Sequence, residues 1–554
     1  MQVVELLLEE AVTDEGRVVE RNGYRREGDT FLIVQGGSAD PQGASAGSGA
    51  EVEALIVTAQ KREEDIQDVP IAISAFTQED LERSQIAGGP DLITQIPNFS
   101  FTKTNFSSYS IQIRGIGTQA VSATTDPAVA VAFNNTPFIR NRFFEQEFYD
   151  LERLEVLRGP QGTLYGRNAT AGVVNIISAK PKFTYEAKAA ADIGNYSSTR
   201  LEGMVNVPLV EDMVALRMAG AWTKREGYAF NQMTGRQIDG RDLWSTRVSL
   251  RFEPTDWISA NLIWEHFEED DDRLRSGKQL CKKHVVTHVG DLPMNSTGGS
   301  AQSPAAYVAQ GCTAVSLYSP EAFQTPNGDS LPYFAPLSDL GLPIINLNPY
   351  LSATQSRDLR VIESGVEPEY RAKTDLAELQ ISIDLSDSLT LSSETSYGTD
   401  SLFSLQDYNR FTTTRGVFDH SRAPTVIDEN GFFCDPQLGC SDRLLLVDLS
   451  TSESSQFSQE FRLGSDYDGP FNFSLGANFL RHDALDKYYV FINNVSLWSA
   501  YQTATGAGGC AQSRGHPGDV GETARIGTTE GVHSILCAYM DPNPIESLND
   551  MGRN

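Results

Sequence analysis

From about residue 184 the chain alternates large apolar residues with small or polar ones, with a period of two. In "MVALRMAGAW", Val214, Leu216, Met218 and Trp222 share one face, while Arg217 shares the other with small residues. "TRVSLRF" sets Val248, Leu250 and Phe252 against Arg247, Ser249 and Arg251. "LQISIDLS" sets Leu379, Ile381, Ile383 and Leu385 against Gln380, Ser382 and Asp384, and "FNFSLGANF" repeats the pattern from Phe471 to Phe479. Successive side chains of a strand point to opposite faces, so each stretch predicts a strand with one apolar face. A soluble sandwich would show the same alternation. The connections break that tie. Short polar turns ("LVED", "EPTD", "SDS", "SDYDG") alternate with long segments, one from about 270 to 370 and another from about 406 to 450. Short turns on one side and long loops on the other are the pattern of an outer-membrane barrel. Trp222, Trp257, Trp264 and Tyr397, near strand ends, fit interfacial girdles. Some nine or ten strands precede the loop-like "SLNDMGRN", and no closing strand is visible. The expectation is therefore a sequence cut short, one that aggregates when expressed alone because lipid does not tolerate an open strand edge.

Upstream, residues 61–181 read as an α+β unit. "VPIAISAF" predicts a strand, "TQEDLERSQI" a helix with Thr77 as its N-cap, and "DLITQI" a further helical turn. "SIQIRGIG", "AVAVAF", "RLEVLRG" and "GVVNIIS" predict more strands, each bounded by Gly, Pro or Asn. Residues 36–52 form a Gly/Ala/Ser linker. Residues 1–35 read as a helix, "VVELLLEEAV", followed by a hairpin-like pair that ends in "FLIVQ".

Composition narrows the function. No apolar run approaches the roughly 18–20 residues of a membrane helix, so a membrane role must use a closed barrel. The net charge of −30 argues against a nucleic-acid partner, which requires a basic face. The N-terminus lacks the basic and small-residue features of a signal peptide. Six cysteines fall in expected loops, and their order suggests the pairs Cys281–Cys312, Cys434–Cys440 and Cys510–Cys537. Such bridges imply an oxidising compartment, with free surface thiols as the alternative.

"LERLEVLRGPQGTLYGRNATAGVVNIIS" (151–178) resembles the closing segment of the plug domain of TonB-dependent outer-membrane receptors. "SIQIRGIG" resembles the earlier plug motif, and "SQEFRL" (458–463) a recurring barrel-strand motif. "EALIVTAQKREEDIQDVPIAISAF" resembles the TonB box running into the first plug strand. Residues 1–35 more weakly resemble the end of a periplasmic signalling domain. The resemblance implies a mainly β fold, a transmembrane antiparallel barrel of about 22 strands with an α+β plug inside. Residues 53–60 would be the TonB box, 61–181 the plug and 182–554 the N-terminal portion of the barrel. "FNNTPFIRNRFF" departs from the aspartate–glycine turn usual at its position.

The resemblance also implies roles for residues. Gly115, Gly159, Gly162, Gly166 and Gly172 would permit positive φ and close backbone approach in a crowded lumen. Glu53, Ala54, Leu55, Ile56, Val57, Thr58 and Ala59 would pair with a strand edge of TonB, itself driven by ExbB and ExbD; a plain plug strand is the bland alternative. Arg114 and Arg158 would face Glu394 and Glu460, which fall on the inward phase of their strands. Tyr109, Arg140, Arg142 and Phe143, on apical loops, would bind an anionic, partly aromatic ligand, with packed turn residues as the competing account. The expected function is active uptake of a scarce ligand, first a ferric siderophore, then an oligosaccharide, haem or vitamin B12. An anti-sigma factor is a further expected partner. A passive porin and a soluble adhesion protein are the rivals from other classes.

The bland readings elsewhere are stronger. "FEEDDD" (267–272) reads as a solvated acidic loop before it reads as a cation site, and "CKKHVVTH" (281–288) is a weak zinc pattern. "GASAG" lacks the strand–turn–helix context of a nucleophile elbow, and no helix follows "GIGTQA" as a dinucleotide fingerprint requires. No catalytic residue, resident cofactor or metal is expected; any iron would arrive as the transported chelate.

Overall fold

The computed structural model describes residues 24–27, 30–33, 56–58, 61, 64–103, 109–118, 126–140, 144–274, 278–284, 288–289, 292–293, 312–326, 349–350, 353–408 and 413–504. The chain divides into two units, Met1–Ala54 and Leu55–Asn554. In the first, Tyr24–Glu27 pairs antiparallel with Thr30–Ile33, the hairpin expected there. The expected helix "VVELLLEEAV" and the linker 36–52 lie outside the described residues.

The second unit begins with a plug built on a five-stranded sheet. Its strands are β1 (Ala72–Thr77), β2 (Val129–Phe133), β3 (Thr136–Phe138), β4 (Leu151–Arg158) and β5 (Gly172–Ser178), in the order β3-β2-β5-β4-β1. Only β2 and β5 run parallel. Both are buried along their whole length, which is why they read as unbroken apolar runs rather than alternating ones. One face packs Val131, Phe133, Leu154 and Ile176 against Leu81, Leu92, Phe144 and Phe148. The other packs Ala130, Leu157 and Val173 against Val57, Tyr165 and Ala169. The helix Gln78–Arg83 follows β1 directly. Thr77 accepts from the Asp80 N–H and donates its own N–H to the Asp80 carboxylate, a reciprocal cap.

Glycine has a physical task at two motif positions in particular. Gly159 sits at φ +122°, a region closed to other residues. A Cβ on Gly172 would lie 2.3 Å from the Leu157 carbonyl and 2.6 Å from Ile113 Cδ1. Gly115 and Gly166 also have positive φ. Gly162 needs neither freedom: it opens the helical turn Gly162–Tyr165, with open space where its Cβ would be.

A nine-stranded antiparallel wall follows, each strand hydrogen-bonded to the next: β6 (Glu186–Gly194), β7 (Ser198–Val210), β8 (Val214–Arg225), β9 (Arg241–Thr255), β10 (Ile258–Asp271), β11 (Glu369–Ser386), β12 (Leu389–Asp407), β13 (Leu446–Ser465) and β14 (Ser474–Ile492). All hairpins closing at one end are short, and the connections at the other end include the two long segments. The faces decide between membrane and sandwich. On β10, Leu262 and Trp264 are 50% and 42% exposed, while Ile263 and Glu265, on the opposite face, are buried. Met218, Trp244, Phe252, Leu379, Tyr397 and Phe461 are likewise exposed, and Arg217, Arg247, Ser249 and Glu378 are covered. A sheet with its apolar face uncovered and its polar face against a partner is inverted relative to a soluble one, as lipid-facing strands are.

The described parts of the long connections fold. A helix, Asn493–Ala504, packs Leu497 and Ala500 against Val417, Phe418, Ile427 and Phe433 of the connection between β12 and β13. The Cys434–Cys440 disulfide clips a small hairpin there, and Cys281–Cys312 joins two parts of the connection between β10 and β11. Both are expected pairs; Cys510 and Cys537 lie outside the described residues. "FEEDDD" is no solvated loop: it is the end of β10, with Glu269 and Asp271 turned inward onto Arg241.

Leu262→Arg places a charge on the uncovered face and is expected to cost about 2–4 kcal/mol near mid-membrane. Asn261→Arg, one residue away on the inward face, is expected to cost far less. The fraction of heat-modifiable folded receptor in outer membranes measures both, and equal losses would contradict the face assignment.

Candidate functional site: the plug–wall interface

The plug meets the wall through "FEQEFYD", residues 144–150. Phe144 and Phe148 turn into the plug core, leaving Glu145, Glu147, Tyr149 and Asp150 for the wall. Each finds a guanidinium. Arg273 Nη2 donates to Glu145 Oε2 at 3.0 Å. Arg200 Nη1 lies 3.1 Å from Glu147 Oε2, which also accepts from Thr223 Oγ1. Arg217 grips Asp150 with two nitrogens, at 2.8 and 2.5 Å. Arg247 stacks between the rings of Tyr149 and Phe133, 4.7 and 5.3 Å away. It donates to Glu265 on the wall at 2.8 Å and to the backbone carbonyls of Tyr149 and Asp150. Charge-assisted, forked contacts of this kind are strong and directional, and apolar contacts accompany them: Ile263 and Leu376 of the wall join the plug core, and Ala219 and Ala221 pack on Tyr149.

A second contact zone joins the chain just before β1 to both plug and wall. Ile56–Val57 pairs antiparallel with Glu64–Asp65, and Val57 is fully buried. The Thr58 N–H donates to Glu155 Oε1 at 2.7 Å, and Arg153 Nε donates to the same oxygen at 2.7 Å. Arg153 Nη2 also reaches Thr58 Oγ1 at 3.1 Å, while Asn175 Nδ2 donates to Asn135 Oδ1 at 2.9 Å beside them. Glu155 is fully buried, and these donors satisfy its carboxylate oxygens. Lys61 Nζ lies 3.0 Å from Glu460 Oε2 and 5.1 Å from the centre of the Tyr165 ring. Burial lowers its pKa to about 8, against the pull of Glu394 and with Arg462 adding to the lowering.

These contacts revise several expectations. Ile56, Val57 and Thr58 are folded onto the plug, so strand addition by a partner would require this pairing to be given up; Glu53, Ala54, Leu55 and Ala59 lie outside the described residues. Glu394 and Glu460 do sit opposite each other on the wall, near the plug. The plug cation beside them is Lys61, not Arg114 or Arg158. Arg114 is exposed on a turn at φ +54°, and among the described residues neither arginine forms an ion pair. The reason is positional: Arg158 ends β4 opposite Ala72 and Gly172, whereas the segment before β1 carries Lys61 to the glutamates.

The apical turn holds its own correction. Asn134 and Asn135, at φ 45° and 72°, supply the positive angles of the missing aspartate–glycine pair and close the β2–β3 hairpin. Asn134 also donates to Glu378 on the wall at 2.9 Å. Arg140, expected to bind ligand, is instead paired with Asp486 of β14 at 2.7 Å, and Gln456 of β13 bridges to the N–H of Ile139 and the carbonyl of Pro137. Its charge is spent on the wall. Arg142, Phe143 and the side chain of Tyr109 lie outside the described residues. The inward arginines were visible as charges on the small-residue face of each strand. Their plug partners were not, because "FEQEFYD" is too short and irregular to show a period.

Known proteins place this arrangement. Residues 65–173 match the model of the TonB-dependent receptor plug domain. The iron-regulated outer membrane virulence protein of Vibrio cholerae is 33% identical over 132 residues, 23% of this chain and 20% of that protein. The pesticin receptor of Yersinia pestis is 25% identical over 234 residues, 41% and 34% of the two chains. The vitamin B12 transporter of Photobacterium profundum is 24% identical over 240 residues, 43% and 33%. This chain thus spans between a fifth and about a third of the length of these relatives. Pseudomonas aeruginosa FpvA, solved with heterologous pyoverdines, superposes with a TM-score of 0.50 at 11% identity, over 79% of this chain and 45% of FpvA. FpvAI in complex with pyocin S2 gives the same score at 12% identity, over 78% and 46%. Both share the fold. The protein is of the plugged outer-membrane barrel class. Within that class, its plug is similar to the plug domain of TonB-dependent outer-membrane receptors.

Removing one partner of a buried pair strands the other's charge, at a cost of about 3–5 kcal/mol. Arg217→Ala is therefore expected to loosen the plug and raise vancomycin sensitivity in cells carrying the receptor, and Arg158→Ala to raise it much less. Equal sensitisation would contradict the assignment of the seam.

Lys61 gives a pH signature. Its docked pKa lies below the ordinary lysine value of 10.5, so releasing the segment takes up a proton between about pH 8 and 10.5, and docking strengthens as pH rises through that window. Below about pH 8 the lysine is charged in both states and the contribution is constant. Amide exchange at residues 56–58, corrected for intrinsic rates, is expected to slow from pH 7 to pH 9, and not to do so in Lys61→Met.

Proposed function

We propose that the protein imports a ferric siderophore across the outer membrane, with TonB drawing on the proton-motive force through ExbB and ExbD. The observation that carries this reading is the seam itself. A barrel wall is stoppered by a plug held through discrete ionic contacts, and the chain leading into that plug carries the segment expected to engage TonB. Such a stopper is closed at rest and yields to a directed pull, which suits a scarce, bulky solute better than passive diffusion. The iron-regulated V. cholerae relative, similar over part of its length, supports iron as the cargo. Residues 1–35 would report ligand occupancy to a periplasmic anti-sigma factor.

The test is radioactive iron accumulation from the organism's own spent, iron-depleted medium, comparing cells with and without the receptor and with and without TonB. Uptake is expected to need both. Accumulation that persists without the receptor under iron starvation would remove the siderophore reading.

A further inference from the structure

Arg140 is neutralised by the wall, yet an arginine–aromatic cluster of the expected chemistry exists elsewhere, at the long-loop end of the sheet. Three separate loops build it. Tyr196 comes from the tight turn between β6 and β7, Arg225 and Tyr228 from the end of β8 and the residues after it, and Arg360 from the long connection before β11. The Arg225 guanidinium lies 4.5 Å over the Tyr228 ring. The Tyr228 and Tyr196 rings meet edge to face at 6.3 Å, and Arg360 Nη1 donates to the Tyr196 hydroxyl at 2.6 Å. The result is an unbroken file of guanidinium, ring, ring and guanidinium.

The backbone fixes it. The Glu226 N–H donates to the Tyr196 carbonyl, and the Phe230 N–H to the Arg360 carbonyl. Tyr196 and Ser197 occupy consecutive positive φ angles of 61° and 52°, a turn that normally takes Asn–Gly. An aromatic residue held there is strained, and such strain persists where surroundings over-determine it, commonly at binding sites. The rings are nonetheless open: Tyr196 and Tyr228 are 38% and 40% exposed, and neighbouring Phe230 is exposed as well.

Charge sets the cluster apart from the paired arginines of the strands. Acids outnumber bases by 74 to 44, and Arg200, Arg217, Arg241, Arg247 and Arg251 each face a carboxylate within 4 Å. Among the described residues, Arg225 and Arg360 form no ion pair; Arg225 donates to the backbone carbonyl of Asp239 instead. Burial and the nearby Asp239 push the Tyr228 phenol up to about 12, so it stays a neutral donor at neutral pH.

We propose that Arg225, Tyr228, Tyr196 and Arg360 form a loop-borne cradle for an anionic, ring-bearing iron chelate, the guanidinium groups meeting its charge and the phenol rings its flat face. This rests on the uptake reading and narrows it: a catecholate-type chelate fits, and a neutral hydroxamate does not need this site.

The test uses the receptor in outer membranes and two radiolabelled probes, iron(III) tris(2,3-dihydroxybenzoate), anionic and aromatic, and a neutral ferric trihydroxamate. Arg225→Gln/Arg360→Gln is expected to weaken the catecholate at least tenfold while the hydroxamate is unchanged. Tyr228→Leu is expected to weaken it severalfold, and Tyr228→Phe to keep most of the affinity. Heat-modifiability of each variant checks that it is folded. Unchanged catecholate affinity, or equal loss for both probes in folded protein, overturns the cradle. Wild-type binding of the hydroxamate alone also overturns it and leaves the uptake reading standing. Binding of neither probe, together with no receptor-dependent iron accumulation, removes both. Loss of co-purified outer-leaflet glycolipid from the double variant, with chelate affinity intact, reassigns the cluster and overturns the proposal.

Discussion

The outward face of the wall must be apolar to meet lipid. On β8 to β11 the charges on that face, such as Lys224, Glu268, Asp270 and Arg371, lie toward the loop ends, and the arginines and glutamates between them turn inward. Arg200, Arg217, Arg247, Glu265, Glu378 and Glu460 all face the plug side, where water is scarce and an unpaired charge is costly. The plug is what neutralises them. Its carboxylates answer Arg200 of β7, Arg217 of β8 and Arg273 just after β10, and Lys61 and Arg140 answer the acids of β13 and β14. A sheet of this kind without its plug would be a wall of stranded charge.

The contacts are not evenly distributed in kind. Along residues 144–150 the plug offers acids to wall arginines, and the Asp150–Arg217 pair is forked and nearly buried. Before β1 the connection is looser: one lysine, the Thr58 N–H and hydroxyl on Glu155 and Arg153, the buried Val57, and two residues of strand pairing. The chain that would receive a pull is therefore attached by few groups, with Glu155 on the plug and Glu460 on the wall as its polar anchors. Local stability follows the number and burial of such contacts.

Much of this was legible in the sequence, for identifiable reasons. Period-two alternation fixed the strands and their faces, and Arg217 and Arg247 stood out as charges among small residues. The plug glycines were legible where backbone geometry needs them, and not at Gly162, where a short helical turn asks for no special residue. The pairing of charges was not legible. Motif position favoured Arg114 and Arg158, but which cation reaches Glu460 is set by the path of the chain before β1, and no local pattern encodes that path. The helix at Asn493–Ala504 was missed because "NNVSLWSAYQTA" has no clean apolar stripe; its packing against the Cys434–Cys440 loop creates it.

The division of charge along the seam also bears on inheritance. Asp150 and Arg217 are 67 positions apart and Glu145 and Arg273 are 128 apart, yet each is meaningful only with its partner. A plug exchanged by recombination into a wall with acids at those places would meet like charge at each rung. Plug and early wall, with Arg273 just beyond β10, are thus bound to travel as one cassette, and divergence between receptors of this kind should be freer in the loops farther from the plug.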